Sequence, residues 1–102
     1  MAKDKKNKNE LNKANVLVNK YLCNFISDKF LHTYHDQYGA EISQNKYASS
    51  CGLSSSTLTK LKNPEGYEIP LSTIYNICRY EKYSLKDLFT EFEEKYGTNI
   101  PL

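Results

Sequence analysis

A chain of 102 residues with 39% apolar and 25% charged residues, four Gly and three Pro is sized for one domain with a single modest core. Its longest apolar-rich stretch, Val16 to Leu31, is broken by Asn19, Lys20, Asn24, Asp28 and Lys29, which excludes a membrane helix of about 20 apolar residues. The net charge of +2 excludes a strongly basic protein, and a basic N-terminus followed by more polar residues is not a secretory signal, so the expected location is the cytoplasm.

The first segment, residues 1–14, is Lys- and Asn-rich, with Lys3, Lys5, Lys6, Lys8 and Lys13 outweighing Asp4 and Glu10. Its low apolar content does not offset the entropy of ordering, and it is expected to be a flexible basic arm ahead of a single domain over residues 15–102. From Asn15 onward Val18, Leu22, Phe25, Ile26, Phe30 and Tyr34 recur every three or four residues, one face of a long helix predicted to run to about Tyr38 and to stop at Gly39. Shorter elements follow, each opened by a Ser. Ser43 caps a helix with Tyr47, Ala48 and Cys51 inward and Gly52 at its end. Ser54 caps another with Leu58 and Leu61 inward, ending near Asn63. NPEGYEIP is a loop. Ser72 is expected to open a helix with Ile74, Tyr75, Ile77 and Cys78 inward, and Ser84 a last one with Leu85, Leu88, Phe89 and Phe92 inward. Five helices without strand alternation predict an all-α orthogonal bundle.

Cys23, Cys51 and Cys78 form no Cys-x-x-Cys pair and no disulfide framework; Cys51 and Cys78 fall on apolar faces, where a thiol behaves as a small hydrophobe. Cys23, His32 and His35 lack the paired spacing of a zinc site. No nucleophile, base and oxyanion donor can be placed together. Neither a metal, nor a cofactor, nor enzymatic activity is expected.

The functional signal lies in residues 43–63. Two short helices joined by a brief turn at Gly52 meet steeply, with Leu53 plugging the angle and Ala48 permitting close approach. That is a helix-turn-helix, whose second helix, residues 54–63, is presented to the major groove. Its outward set starts with Ser55, Ser56, Thr59 and Lys60, with Lys62 and Asn63 nearer the end. Hydroxyls, ammonium groups and helix N-terminal N–H groups suit phosphates. Arg, Gln and Asn, which make bidentate base contacts, are absent from this set before Asn63. A weakly basic centre, with Lys46, Lys60 and Lys62 against Glu41, and an acidic end from Glu81 onward fit a polyanion held at one side.

Residues 42–63 followed by 69–89 resemble the Cro/Xre-type helix-turn-helix domain of phage repressors and bacterial transcriptional regulators. The resemblance rests on Ser43-Gln44, Ala48, Gly52, Leu53-Ser54, Ser56-Thr57-Leu58, Leu61, Asn63, Pro70 and the closing Leu85, Asp87, Leu88 and Phe89. It implies a phage-repressor-like five-helix bundle acting as a cytoplasmic, sequence-specific regulator of transcription, a repressor, bound to double-stranded DNA as a homodimer. It implies base reading by Ser55, Ser56, Thr59 and Lys60. Ser43, Gln44, Lys46, Ser54, Lys62 and Asn63 would contact phosphate or buttress the interface, with Tyr67 nearby. Gln44, opening the first helix of the motif, is the buttress. Arg79 is the only Arg, Asn45 and Lys46 provide no capping box, and Ala40 and Glu41 are extra residues before the motif. Sparse charge and small side chains on the second helix leave an alternative. In it the fold serves mainly protein association, as an antitoxin beside its toxin, as a mobile-element adaptor, or with another regulator as partner. The long first helix, over Val16 to Phe25, is a candidate surface for a partner subunit.

Overall fold

A computed structural model describes residues 8–99. Five helices pack around one core: α1 (Lys8–Phe30), α2 (Gln44–Cys51), α3 (Ser55–Lys62), α4 (Leu71–Glu81) and α5 (Leu85–Tyr96), with a 3-10 turn at Gly97–Asn99. Between α1 and α2 stands a two-stranded antiparallel hairpin, β1 (Tyr34–His35) with β2 (Glu41–Ile42), in the register Tyr34 to Ile42 and His35 to Glu41. The all-α expectation holds, with this hairpin added.

The hairpin corrects the predicted reach of the first helix, which ends at Phe30 rather than near Tyr38. Asp36 Oδ1 accepts from the Tyr38 and Ala40 N–H groups at 2.8 and 2.9 Å, and Gly39 takes φ 88°, so a short Asp-initiated turn outcompetes the helix. The N–H groups of Ala40 and then Tyr38 hold the Asp36 carboxyl below its ordinary range. Tyr34 stays buried, which is why the apolar period runs on past the helix end. Ala40 and Glu41 lead into β2.

At its other end α1 starts at Lys8, so residues 8–14 of the expected arm are helical, while residues 1–7 of it lie outside the described residues. Leu22, Cys23, Phe25 and Ile26 form the buried stripe of α1. Its C-terminal turn is tied to α5 by Lys29 Nζ on Glu91 Oε1 at 2.8 Å, with Tyr83 donating to the same carboxylate.

The Ser caps stand where predicted at three of four helices: Ser43, Ser54 and Ser84 accept from the N–H groups of Lys46, Thr57 and Asp87. At α4 the capping residue is Pro70, with no side-chain cap, and Ser72 sits inside the first turn. A Pro fits there because its fixed φ already suits helix entry. The inward face of α4 is Thr73, Ile74, Ile77 and Cys78. Tyr75, expected inward, lies outside that stripe and is 47% exposed. Leu58, Leu61, Tyr47 and Leu88 are at most 1% exposed. The three cysteines are buried and free, and burial pushes their thiols up, Cys51 to about 11. No helix among the described residues is long and apolar enough to cross a membrane.

Candidate nucleic-acid interface

Residues 52–54 alone separate α2 from α3. Gly52 adopts φ 80°, its N–H reaching Ala48 O and Ser49 O, and the Leu53 N–H returns to Ala48 O at 2.8 Å. This left-handed residue closes α2 and turns the chain sharply. An added Cβ at Gly52 would meet only Asn76 Nδ2, at 3.9 Å, so the backbone conformation and not space demands glycine. Gly52→Ala is therefore expected to cost about 1 kcal/mol, read as a lowered urea midpoint with an unchanged slope. Ala48 is fully buried and Leu53 packs half-buried in the angle, which sets the approach of the two helices.

Gln44, the first residue of α2, joins them. Its Nε2 donates to Ser55 O at 3.1 Å, Ser55 Oγ at 3.0 Å and Thr59 Oγ1 at 3.2 Å. Its Oε1 accepts from Lys62 Nζ at 2.5 Å and from the Tyr34 hydroxyl at 3.2 Å. Lys62 also donates to Tyr34 OH at 3.1 Å and lies 5.6 Å from the centre of that ring. One amide thus fastens the first and second turns of α3 to α2, and its oxygen gathers a cation and a phenol. The Tyr34 ring rests against the fully buried Tyr47, centroids 4.8 Å apart. Tyr47 itself donates to Glu81 Oε2 at 2.5 Å, and burial drives its hydroxyl far above the ordinary phenol range. The array therefore stands on an aromatic base rather than on flexible side chains.

With Leu58 and Leu61 inward, the 3.6-residue period sends Ser56, Thr59, Lys60 and Asn63 outward and turns Ser55 and Lys62 toward α2. Burial agrees: Ser56, Thr59, Lys60, Lys62 and Asn63 are exposed and Ser55 is half-buried. Of the residues expected to face bases, Ser56 and Lys60 are free of the Gln44 array, whereas Ser55 and Thr59 are bound into it. Ser56 Oγ touches the capping Ser54 Oγ at 3.0 Å. Lys60 Nζ lies 5.9 Å from the Tyr67 ring centre. Asn63 ends α3 and accepts from Glu65 N–H at 2.9 Å. Ser43 and Lys46 are exposed at the start of α2. Neither α2 nor α3 carries an acidic residue in its first turn, so the positive ends of both helix dipoles remain available to an anion.

Sequence reasoning missed Tyr34 as a member of the site. The available signal was the turn Asp36–Gly39 directly ahead of Gln44, which folds Tyr34 back beside the motif. Small polar side chains on a rigidly held second helix, with unneutralised helix N-termini beside it, define a helix-turn-helix DNA-binding domain. The profile of the Cro/C1-type HTH DNA-binding domain matches residues 40–93, more than half of the 102-residue chain, and the protein belongs to that family. The match takes in β2, α2 to α4 and α5 as far as Glu93, but not α1 or β1. Among curated proteins and among solved structures, none matches the chain.

Proposed function

We propose that the protein is a sequence-specific transcriptional repressor that occupies a two-fold symmetric operator as a homodimer, with α3 of each copy in the major groove. The supporting observation is the Gln44 array. It holds α3 from one flank and leaves Ser56 and Lys60 outermost, with Asn63 following. In this reading Ser55, Ser56, Thr59 and Lys60 form the base-facing side of α3: Ser56 reads a base, Ser55 and Thr59 are held beside it by Gln44, and Lys60 acts mainly as a point charge. Ser43, Lys46, Ser54, Lys62 and Asn63 meet phosphate, and Gln44 is the buttress. Contacts of Lys with phosphate are point charges rather than Arg forks, so affinity falls steeply with salt.

Selection of bound duplexes from a random pool, followed by anisotropy titration, tests this directly. The bound sequences are expected to share two half-sites about one helical turn apart. No duplex binding even at low salt would end the reading. Lys60→Ala is expected to weaken all duplexes similarly and to flatten the salt dependence by about one charge. Ser56→Ala should instead change the preferred base at one operator position and leave the salt slope alone. Identical effects from the two variants would contradict these roles.

Leu71 and Tyr75 favour a second reading. They are 62% and 47% exposed on α4, with the Arg79 guanidinium 5.2 Å from the Tyr75 ring centre. An antitoxin or adaptor would use such a surface for a protein partner. Co-purification with the product of an adjacent small gene, abolished by Tyr75→Lys, would favour it over the repressor.

A further inference from the structure

Among the described residues, the apolar face of the N-terminal half of α1 is left largely uncovered. Leu11, Ala14 and Val18 continue, at helical spacing, the stripe that Leu22 and Phe25 bury in the core. Leu11 is 49% exposed, and Val16, further round the helix, 61%. The molecule measures 54 Å along its long axis against 25 and 19 Å across, and α1, about 35 Å long at 1.5 Å per residue, accounts for the excess by projecting past the bundle. Asn9, Asn12 and Asn15 are poor helix formers, and a free extension of this composition is marginal in water. Where α1 leaves the bundle, a groove of about 800 Å³ opens between it and the loop after α3. Val16, Val18, Gly66 and Tyr67 line the groove, and Glu65 and Glu68 border it.

We infer that a second copy of this chain fills the groove, the two α1 helices crossing antiparallel about a dyad near Ala14. The inference rests on the homodimer reading above and names its interface. Charge decides the occupant. The groove is bordered by carboxylates, and the element that would enter it carries Lys8 on the same face as Leu11. With the dyad at Ala14, Leu11 comes opposite Leu17 and beside Val18 of the other copy. Lys8 comes level with Lys20, which pairs with Glu65 at 3.9 Å, and there Glu65 and Glu68 together outnumber that one lysine. Groove and filler are adjoining parts of one patch, which is the self-complementarity that an isologous pair requires. The small side chain of Ala14 lets the axes approach.

Sedimentation equilibrium of the full chain without DNA, from about 1 to about 200 µM, tests the inference, because an interface at the small end of the specific range corresponds to a Kd on the order of 10 µM. The mass is expected to rise to about twice the 11.8 kDa of the chain. Leu11→Asp should remain a monomer throughout with unchanged helicity of the bundle. Lys8→Glu and Glu65→Lys should each weaken self-association roughly tenfold. An equimolar mixture of the two should recover it, since both symmetry-related pairs are then opposite in sign. A wild-type monomer over the whole range, a dimer unmoved by Leu11→Asp, or no recovery on mixing overturns the inference. So does loss of half-site DNA binding by Leu11→Asp, which would place the extension on DNA. An intact α1 dimer that binds no DNA counts against the regulator reading alone.

Discussion

Gly66→Ala is expected to lower the stability of the domain by about 2–5 kcal/mol, a large share of the roughly 5–15 kcal/mol that holds a small domain folded. Two costs combine. Gly66 has φ +71°, where a Cβ costs about 1–2 kcal/mol. A Cβ would also stand 2.9 Å from Lys20 Cα and 3.2 Å from Asn19 O, so the backbone of α1 would have to move, at about 1–3 kcal/mol for overpacking. The movement would also strain the Cys23 thiol contact with Tyr67 O at 3.4 Å, a polar stitch between α1 and this loop. Gly39→Ala supplies the comparison, because its φ is +88° but nothing lies within 4 Å of the added carbon. It should cost only the conformational part. Equal urea midpoints for the two variants would show that the loop does not press on α1 as described.

Gln44→Ala is expected to reduce duplex affinity at least tenfold while costing about 1–3 kcal/mol of stability. The variant removes donors to Ser55 and Thr59 and the acceptor shared by Lys62 and Tyr34. At about 0.5 kcal/mol per hydrogen bond, the low end of the range and apt for so exposed a site, these come to about 2 kcal/mol and the fold survives. The orientation of α3, however, is left to the Leu58 and Leu61 contacts. Each 1.4 kcal/mol of misalignment then appears as a factor of ten in binding. Tyr34→Phe separates positioning from stability. It deletes one hydroxyl, keeps the ring on Tyr47, and should weaken binding about two- to fivefold with almost no change in melting. Full affinity in Gln44→Ala would remove the buttress role.

The helix caps and the turn of the motif were legible because their interactions are local. Ser43 reaches Lys46 N–H and Ser54 reaches Thr57 N–H three residues on, and Gly52 answers to carbonyls three and four residues back. The inward Leu58 and Leu61 followed from spacing alone. Tyr75 was misplaced because an aromatic next to a helical stripe fits either side of its edge, and Thr73 takes the buried place instead. The end of α1 was misread because Phe30 and Tyr34 are both inward at a helical interval, although the chain between them changes from helix to hairpin.

By itself the sequence determined five helical segments, the caps of α2, α3 and α5, the sharp turn at Gly52 and the polar outer face of α3. Each is decided within about one helical turn, where backbone geometry and side-chain chemistry suffice. Tertiary structure alone decided that Tyr34 and Lys62 meet at Gln44 and that Gly66 lies on the backbone of α1. It also decided that the apolar stripe of α1 outruns the bundle. Those relations join residues 10 to 47 positions apart, and their strength comes from excluded volume and shared hydrogen-bond partners that no local pattern encodes.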